Sequence, residues 1–233
     1  YYASDKGDGK GGIDIYSFLL REDIRPLKTL WVKGKVFDKK TKAGLPSSVE
    51  LNDVKTKSLI SKLQTDEDGN YLATLPVGKD YAFNVNRKGY LFYSDNFSLL
   101  DKNSDAVFTV NIPLQPIEAG ATIVLKNIFF ETKQFGLKPE STGELDKLVL
   151  LLNDHPKLKI QIDGHTDNVG QEKDNILLSN NRAKSVVGYL LSKGINPQRL
   201  SYKGFGASKP VADNATEQGK SLNRRTELSV ISN

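Results

Sequence analysis

Residues 162–182 read IDGHTDNVGQEKDNILLSNNR and predict a strand, a loop and a helix in succession. Apolar residues alternate with polar ones up to Ile162, as in a half-buried strand, and a loop flanked by glycines follows. The loop carries Asp167 and the helix carries Arg182. A carboxylate facing a guanidinium can hold the ammonium and the carboxylate of one zwitterionic ligand together. The stretch therefore predicts both a fold and a candidate binding site.

The pattern around this stretch predicts an α/β (α+β) domain over residues 117–233. Apolar residues at helical spacing predict a helix opened by Pro139 and a longer helix that stops at Gly194. Further strands are expected at 122–130, 200–205 and 225–231. This order of elements predicts helices packed on one face of a mixed sheet. Arg182 then starts near the buried side of its helix, and its long stem reaches toward the loop that holds Asp167.

The same region contains several motifs in a fixed order. They are GHTD at 164–167, N-x-x-L-S-x-x-R-A at 175–183, GFG at 204–206, Pro210, Asn214, and NRR at 223–225 followed by Glu227. With these motifs, residues 121–231 resemble the C-terminal peptidoglycan-binding domain of OmpA. The resemblance covers about half of the chain.

The resemblance implies non-covalent binding of the peptide stem of peptidoglycan. In that family the acid of the Thr-Asp pair and the arginine of the Arg-Ala pair grip the meso-diaminopimelate head group, which carries over onto Asp167 and Arg182. Many relatives have Phe-Asp after the first strand, where this chain has Phe130 and the longer acid Glu131. The predicted peptidoglycan-binding residues are Asp167, Arg182, Thr166, Asn175, Leu178, Arg224 and Glu131.

These residues also have interpretations that involve no ligand. An exposed acid and an exposed arginine 15 positions apart (182 − 167) are, without the surrounding motifs, solvated charges that contribute little as a pair. Arg224 and Arg225 are expected to begin a strand and so to point to opposite faces. One of them would reach the ligand and the other would be a surface charge. We expect Arg224 to be the one that reaches the ligand, on its position in the family motif alone.

No metal site, cofactor or catalytic centre is expected from the sequence. The two histidines lack a zinc-binding spacing, and the absence of cysteine removes thiolate chemistry. Asp66, Asp68 and Asn70 begin like an EF-hand loop, but Val77 stands where a bidentate Glu is required. A hydrolase would need a nucleophile-base or paired-carboxylate arrangement, and we find none. The sequence predicts a binding protein that is not an enzyme.

Composition narrows the class of partner. The chain has 233 residues, enough for two cores, and a formal net charge of +5. Its Lys and Arg residues are scattered among 28 acids without a basic stripe, which argues against a nucleic-acid partner. No apolar run approaches the ~20 residues that cross a bilayer, as a flagellar stator-type protein would require. We expect a piece of a longer protein whose signal and any lipid anchor lie upstream.

Residues 26–116 predict an all-β antiparallel sandwich. Short β-branched or aromatic stretches are separated by turn signals at 68–69, 76–78 and 88–89. The expected strands are Trp31–Phe37, Val49–Leu51, Tyr71–Leu75, Tyr81–Val85 and Val107–Ile112. The motifs VKGKVFD, TDEDGNY, LPVGKDY and RKGY make this segment similar to the carboxypeptidase regulatory-like β-domain. It would serve as a spacer or docking surface.

Residues 1–25 contain SDKGDGKGGIDIYSFLL at 4–20, a Gly- and Asp-rich turn followed by a short strand. This segment resembles the tail of a WD40-like propeller repeat, whose other blades would precede it; a disordered leader is the alternative.

The domain order predicts an anchor in the periplasm, associated with the outer membrane. The α/β domain would hold peptidoglycan, and upstream domains would engage outer-membrane or secretion-system proteins. This order is similar to that of the wall-anchoring component of type IX secretion systems. The alternative is a protein-interaction scaffold without wall binding.

Overall fold

The computed structural model describes residues 1–4, 12–22, 25, 27–56, 58–100 and 107–233. Strands β1 (Tyr2–Ser4) and β2 (Asp14–Tyr16) form a two-stranded antiparallel sheet. The short strand predicted near the N-terminus is thus present as β2, whereas most of the predicted Gly- and Asp-rich turn lies at 5–11, outside the described residues. Ile13 and Ile15 are largely exposed, so this sheet buries little apolar surface of its own.

Residues 29–114 contain two four-stranded sheets. The first contains β3 (Thr29–Asp38), β6 (Asn70–Pro76), β9 (Val107–Thr109) and β10 (Ile112–Leu114). The second has the order β5 (Leu59–Gln64), β4 (Ser48–Asp53), β7 (Asp80–Asn86), β8 (Tyr93–Ser98). Alternate side chains of both sheets meet in one core, among them Val32 and Leu75 from the first and Leu51 and Phe83 from the second. We call this region the β-sandwich.

The β-sandwich differs from the prediction in two ways. The stretch expected as one strand at 107–112 forms two, and both run parallel to β3. Val110 and Asn111 separate the two strands. Here the side chain of Asn111 accepts a hydrogen bond from the Lys35 N–H at 3.2 Å in place of a regular contact between backbone groups of neighbouring strands. The sequence also does not predict the edge strands β5 and β8, since β8 reads YSDNFS and lacks a clear apolar alternation.

The C-terminal region is a mixed sheet with helices, as predicted. Its strands β11 (Thr122–Val124), β12 (Lys159–Gly164), β13 (Leu200–Gly204) and β14 (Thr226–Ser232) follow the order β11-β14-β12-β13. Only the β12–β13 pair is parallel, and the rest of this sheet is antiparallel. The helices are α1 (Thr142–Asp154), α2 (Glu172–Ser192) and α3 (Glu217–Asn223).

Several bounds in this region depart from the sequence prediction. The strand expected to run to residue 130 ends at Val124, because Asn127 turns away to bond Ser94 of the β-sandwich and Glu144. The strand expected at 225 begins at Thr226. Helix α3 is not predicted, although the side chain of Thr216 accepts a hydrogen bond from the Gly219 N–H and forms an N-cap.

The helices and the sheet share one core in the C-terminal region. Leu148 of α1 and Val186 of α2 are buried with Ile160 and Ile162 of β12. Two short 3₁₀ turns, Pro139–Ser141 and Pro197–Arg199, precede α1 and β13. Within the described residues, no helix has both the length and the apolar character needed to traverse a bilayer.

Candidate functional site

The candidate site lies at the edge where β12 and β13 end and β14 begins. Gly164 pairs with Gly204 of β13 and with Thr226 of β14. The loop after β12 and the residues before β14 therefore emerge side by side.

Helix α2 lies very close to this edge because two glycines leave room for it. A Cβ atom on Gly164 would stand 2.1 Å from the carbonyl oxygen of Ser179, and one on Gly204 would stand 2.3 Å from the backbone nitrogen of Asn180. Any other residue at either position would push the helix away. The close approach places the middle of α2, including Arg182, beside the loop that carries Asp167.

Asp167 is buried and its carboxylate is held in one orientation. Its Oδ1 accepts a hydrogen bond from the Val169 N–H at 3.1 Å, and its Oδ2 forms an ion pair with Nη1 of Arg224 at 2.6 Å. Asn175 fixes the loop from the first turn of α2, because its side-chain amide donates to the carbonyl of Val169 at 3.1 Å. The Thr166 N–H donates to the carbonyl of Gly206 at 3.0 Å.

Arg182 crosses the site from α2 toward the loop after β11. Its Nε donates to the carbonyl of Gln134 at 2.9 Å and its Nη2 to the carbonyl of Glu131 at 3.3 Å. The guanidinium also lies over the ring of Phe130, 5.0 Å from its centroid. Burial lowers the pKa of Arg182, the positive charge of Arg224 lowers it further, and Asp167 acts in the opposite direction. Two guanidinium groups and one carboxylate therefore influence each other across this site.

A second polar group lies beneath the site. The His165 ring is buried and stacks on Phe205, with 5.3 Å between ring centroids. Its Nε2 is 3.5 Å from a carboxylate oxygen of Glu227, which also pairs with Nε of Arg225 at 2.5 Å. Burial raises the pKa of Glu227, but His165 and Arg225 outweigh it and lower the pKa to about 2.

A cleft of about 410 Å³ opens beside these groups. Arg182, Arg224 and His165 line it from the C-terminal region, and Asp95 and Asn96 line it from β8 of the β-sandwich. Asp167 is not a lining residue itself; it is connected to the cleft through Arg224.

The structure brings most of the predicted binding residues together, with changed pairings. Asp167 and Arg182 were expected to face each other, but Asp167 pairs with Arg224. Leu178 lies half-buried on α2. The carboxylate of Glu131 is exposed and pairs with Lys138 at 2.7 Å, so that Glu131 meets Arg182 only through its carbonyl.

The two consecutive arginines line the same cleft but pair with different acids, Arg224 with Asp167 and Arg225 with Glu227. Arg224 is the C-cap of α3 and precedes the strand. The prediction that one of them is a surface charge is wrong for Arg225, whose side chain is buried in its ion pair with Glu227.

The sequence did not predict a role for Asn223. Its side chain accepts hydrogen bonds from the N–H groups of Val211 and Ala212 and so holds the loop before α3.

Part of this chain is similar in sequence to known proteins. Residues 129–224 match the OmpA family. Outer membrane porin F of Pseudomonas fluorescens is 38% identical over 104 residues, which cover 45% of this chain and 32% of the porin. The peptidoglycan-binding protein ArfA of Mycobacterium bovis is 37% identical over 103 residues, which cover 44% of this chain and 32% of that protein. Among solved structures, the peptidoglycan-associated lipoprotein from Burkholderia pseudomallei is similar, with 27% identity, coverage of 44% of this chain and 87% of that one, and a TM-score of 0.42.

The C-terminal region is therefore an OmpA-like domain, which confirms the resemblance seen in its motifs. The chain spans about a third of the length of the two sequence relatives named above. The likeness of the β-sandwich to a regulatory-like domain, that of residues 1–25 to a propeller repeat, and that of the whole chain to type IX anchors stay predictions.

Proposed function

We propose that this chain binds peptidoglycan non-covalently through its OmpA-like domain and anchors an envelope assembly to the cell wall. Support comes from the match to the OmpA family and from the peptidoglycan-binding relative in Mycobacterium bovis. The outer-membrane relatives support a periplasmic location associated with the outer membrane.

One observation carries this proposal: Arg182 and Arg224 line the same cleft, and the ion pair of Asp167 is with Arg224. Among the described residues, Arg182 bonds to carbonyls and an aromatic ring, and no carboxylate forms an ion pair with it. Two neighbouring cations of this kind favour an added carboxylate, because it forms charge-assisted hydrogen bonds to both. The cleft is thus suited to an anionic group beside Asp167.

We infer that the ligand head group is that of meso-diaminopimelate in the stem peptide. It carries an ammonium and a carboxylate on one carbon. The ammonium replaces Arg224 as the partner of Asp167, and the carboxylate binds Arg224 and Arg182. The internal ion pair is thereby exchanged for three ion pairs with the ligand, so that no buried charge is left alone.

The proposed activity is binding without catalysis. Thr166 and Asn175 hold the loop in place, and the carbonyl of Glu131 accepts a hydrogen bond from Arg182. Leu178 lies half-buried on α2. The β-sandwich and upstream segments would then connect the wall to outer-membrane proteins, in an assembly of the type IX secretion kind.

The alternative is an interaction scaffold whose OmpA-like domain binds no wall. It is favoured by the Asp167–Arg224 pair, because a carboxylate that is already neutralised needs no ligand.

Calorimetric titration with two stem peptides separates these functions. One peptide contains meso-diaminopimelate, and the other contains lysine, which has the ammonium without the adjacent carboxylate. We expect the lysine peptide to bind about ten- to a hundredfold more weakly, since losing a charge-assisted hydrogen bond costs about 1.5–3 kcal/mol. Asp167→Ala should abolish binding of both, whereas Asp174→Ala, which removes an exposed acid from the first turn of α2, should change neither. Equal affinities would refute the head-group assignment, and an unaffected Asp167→Ala variant would refute the role of Asp167 in the site. A wild-type chain that binds neither peptide would favour the scaffold.

A further inference from the structure

One part of the cleft wall belongs to the other folded region of the chain. Asp95 and Asn96 of β8 line it, although they lie outside the OmpA-like domain. We infer that the β-sandwich is part of the binding site and contacts the stem peptide beyond its head group. This inference rests on the proposed function and adds a second surface to it.

Hydrogen bonds between the two regions fix the position of this wall. The side-chain amide of Asn96 donates to Oδ1 of Asn127 at 2.7 Å, and the amide of Asn127 donates to Oγ of Ser94 at 2.8 Å. Asp95 pairs with Nζ of Lys126 at 2.5 Å. Each bond joins β8 to the segment just after β11. These bonds therefore fix the position of the wall relative to the OmpA-like domain.

Two further contacts connect the same regions below the cleft. Lys147 of α1 donates to Oγ of Ser94 at 3.1 Å and pairs with the buried carboxylate of Glu144 at 3.3 Å. Leu91 and Phe92, just before β8, are buried in the core of the OmpA-like domain rather than in that of the β-sandwich. A strand anchored by both polar and apolar contacts is a rigid wall, and rigid walls lose little entropy when a ligand binds.

The chemistry of the cleft suits a short peptide. Its lining includes Leu125, Ile128 and Phe130, which can contact methyl groups such as those of alanine side chains. The amide oxygen of Asn96 accepts hydrogen bonds, so it can receive a peptide N–H from the ligand. A volume of about 410 Å³ lies within the range of pockets that bind drug-sized molecules, and an amino-acid head group would leave part of it empty.

The test compares ligands of two lengths on the full chain. Free meso-diaminopimelate occupies only the head-group end, whereas a stem tetrapeptide that contains it extends toward β8. Asn96→Trp adds bulk at an exposed position of this wall. We expect it to weaken tetrapeptide binding at least about tenfold and to leave the affinity for free meso-diaminopimelate within about twofold. Asn96→Ala, which removes the amide together with its hydrogen bond to Asn127, should weaken tetrapeptide binding about threefold.

Ser98→Trp is the matched control, because Ser98 is an exposed residue two positions along the same strand and therefore on the same face, outside the cleft. Lys40→Ala is a second control, since it breaks another ion pair across the same regions, with Glu118, also away from the cleft. Both should bind the two ligands like the wild type. Unchanged tetrapeptide binding by Asn96→Trp, or an equal loss of both ligands, would overturn the inference and leave the proposed function intact. A wild-type chain that binds neither ligand would refute both.

Discussion

The two main folded regions of this chain bury polar side chains for different purposes. In the β-sandwich, the buried Asp38 and Asp53 each accept hydrogen bonds from the backbone N–H groups two and three residues later. Such bonds satisfy the carboxylate and fix a turn. Their burial is thus explained by the local fold.

In the OmpA-like domain, the buried polar residues gather at one sheet edge instead. His165, Thr166 and Asp167 are consecutive. Among the described residues, the buried hydroxyl of Thr166 has no hydrogen-bond partner, and Nε2 of the buried His165 ring has only the Glu227 carboxylate at 3.5 Å. Burying polar groups without partners costs stability. Groups that carry this cost beside a cleft indicate a binding site, which is why we assign the head-group site to this domain and only a supporting wall to the β-sandwich.

The largest expected effect concerns two half-buried arginines of the OmpA-like domain. Arg199 resembles Arg182 in donating to backbone carbonyls, with bonds of 2.7–2.9 Å to Leu152, His155 and Leu158, but it lies at the opposite end of β12. Arg182→Ala should lower the affinity for the stem peptide about 30-fold or more, because losing one partner of a charged contact costs about 2–5 kcal/mol. Arg199→Ala should instead lower the free energy of unfolding by about 1–3 kcal/mol and leave binding unchanged.

Calorimetric titration and urea unfolding of both arginine variants distinguish these roles. If Arg182→Ala bound like the wild type, or if folded Arg199→Ala lost its affinity, the functional contrast between the two ends of the sheet would be wrong.

The sequence predicts the placement of the candidate binding residues where they are close in the chain. Asp167 follows a strand and Arg182 lies on the next helix, so a single strand-loop-helix unit brings them to one edge. It does not predict that Arg224 pairs with Asp167, 57 positions away, because that contact depends on α3 and on the turn before β14. The sequence does not predict the role of β8 either, because this wall of the cleft forms only where the β-sandwich contacts the OmpA-like domain.

The β-sandwich shows the same limit in its sheets. Strands with alternating apolar residues, such as β3 and β6, are predicted correctly. The parallel pairing of β9 and β10 with β3 is not, because strand direction depends on how the chain passes from the second sheet to the first, and residue alternation carries no information about it.

A smaller effect is expected from glycines that allow close packing in the two regions. A Cβ on Gly34 of the β-sandwich would stand 1.8 Å from the carbonyl oxygen of Val110, comparable to 2.1 Å between a Cβ on Gly164 and the Ser179 oxygen. Replacing either glycine with Ala should lower the free energy of unfolding by about 1–3 kcal/mol through overpacking. Only Gly164→Ala should also weaken stem-peptide binding, because it displaces α2 from the site.

Gly188→Ala is the control for this pair, since Gly188 lies on α2 with open space around it. It should keep full affinity and should not lower stability, because Ala is favoured over Gly in a helix. Unfolding and titration of the three variants test the comparison, and equal loss of binding by Gly34→Ala would show that the β-sandwich controls the head-group site.

The smallest expected effect is an acid response shared by both regions. In the β-sandwich, the hydrogen bond from the Thr56 N–H and then the contact with Lys79 lower the pKa of Asp53 to about 2. In the OmpA-like domain, the pKa of Glu227 is also about 2, against an ordinary value of 4.5. A carboxyl whose pKa is lower in the folded state stabilises the fold above its unfolded pKa, and that stability is lost as the pH falls toward the folded pKa.

Urea unfolding measured between pH 6 and pH 2 should therefore show a free energy of unfolding that falls below about pH 4.5. Asp53→Asn and Glu227→Gln should each lower stability at pH 6 and reduce the fall below pH 4.5, because neither side chain can then bind the proton. Glu50→Gln, which removes an exposed ion pair with Lys62, is the control for loss of one negative charge. Curves for Glu227→Gln that run parallel to the wild type would show that the buried contact with Arg225 contributes nothing to acid stability. If only Asp53→Asn flattened the curve, the acid response would belong to the β-sandwich alone, and the ion pair beneath the site would have no part in it.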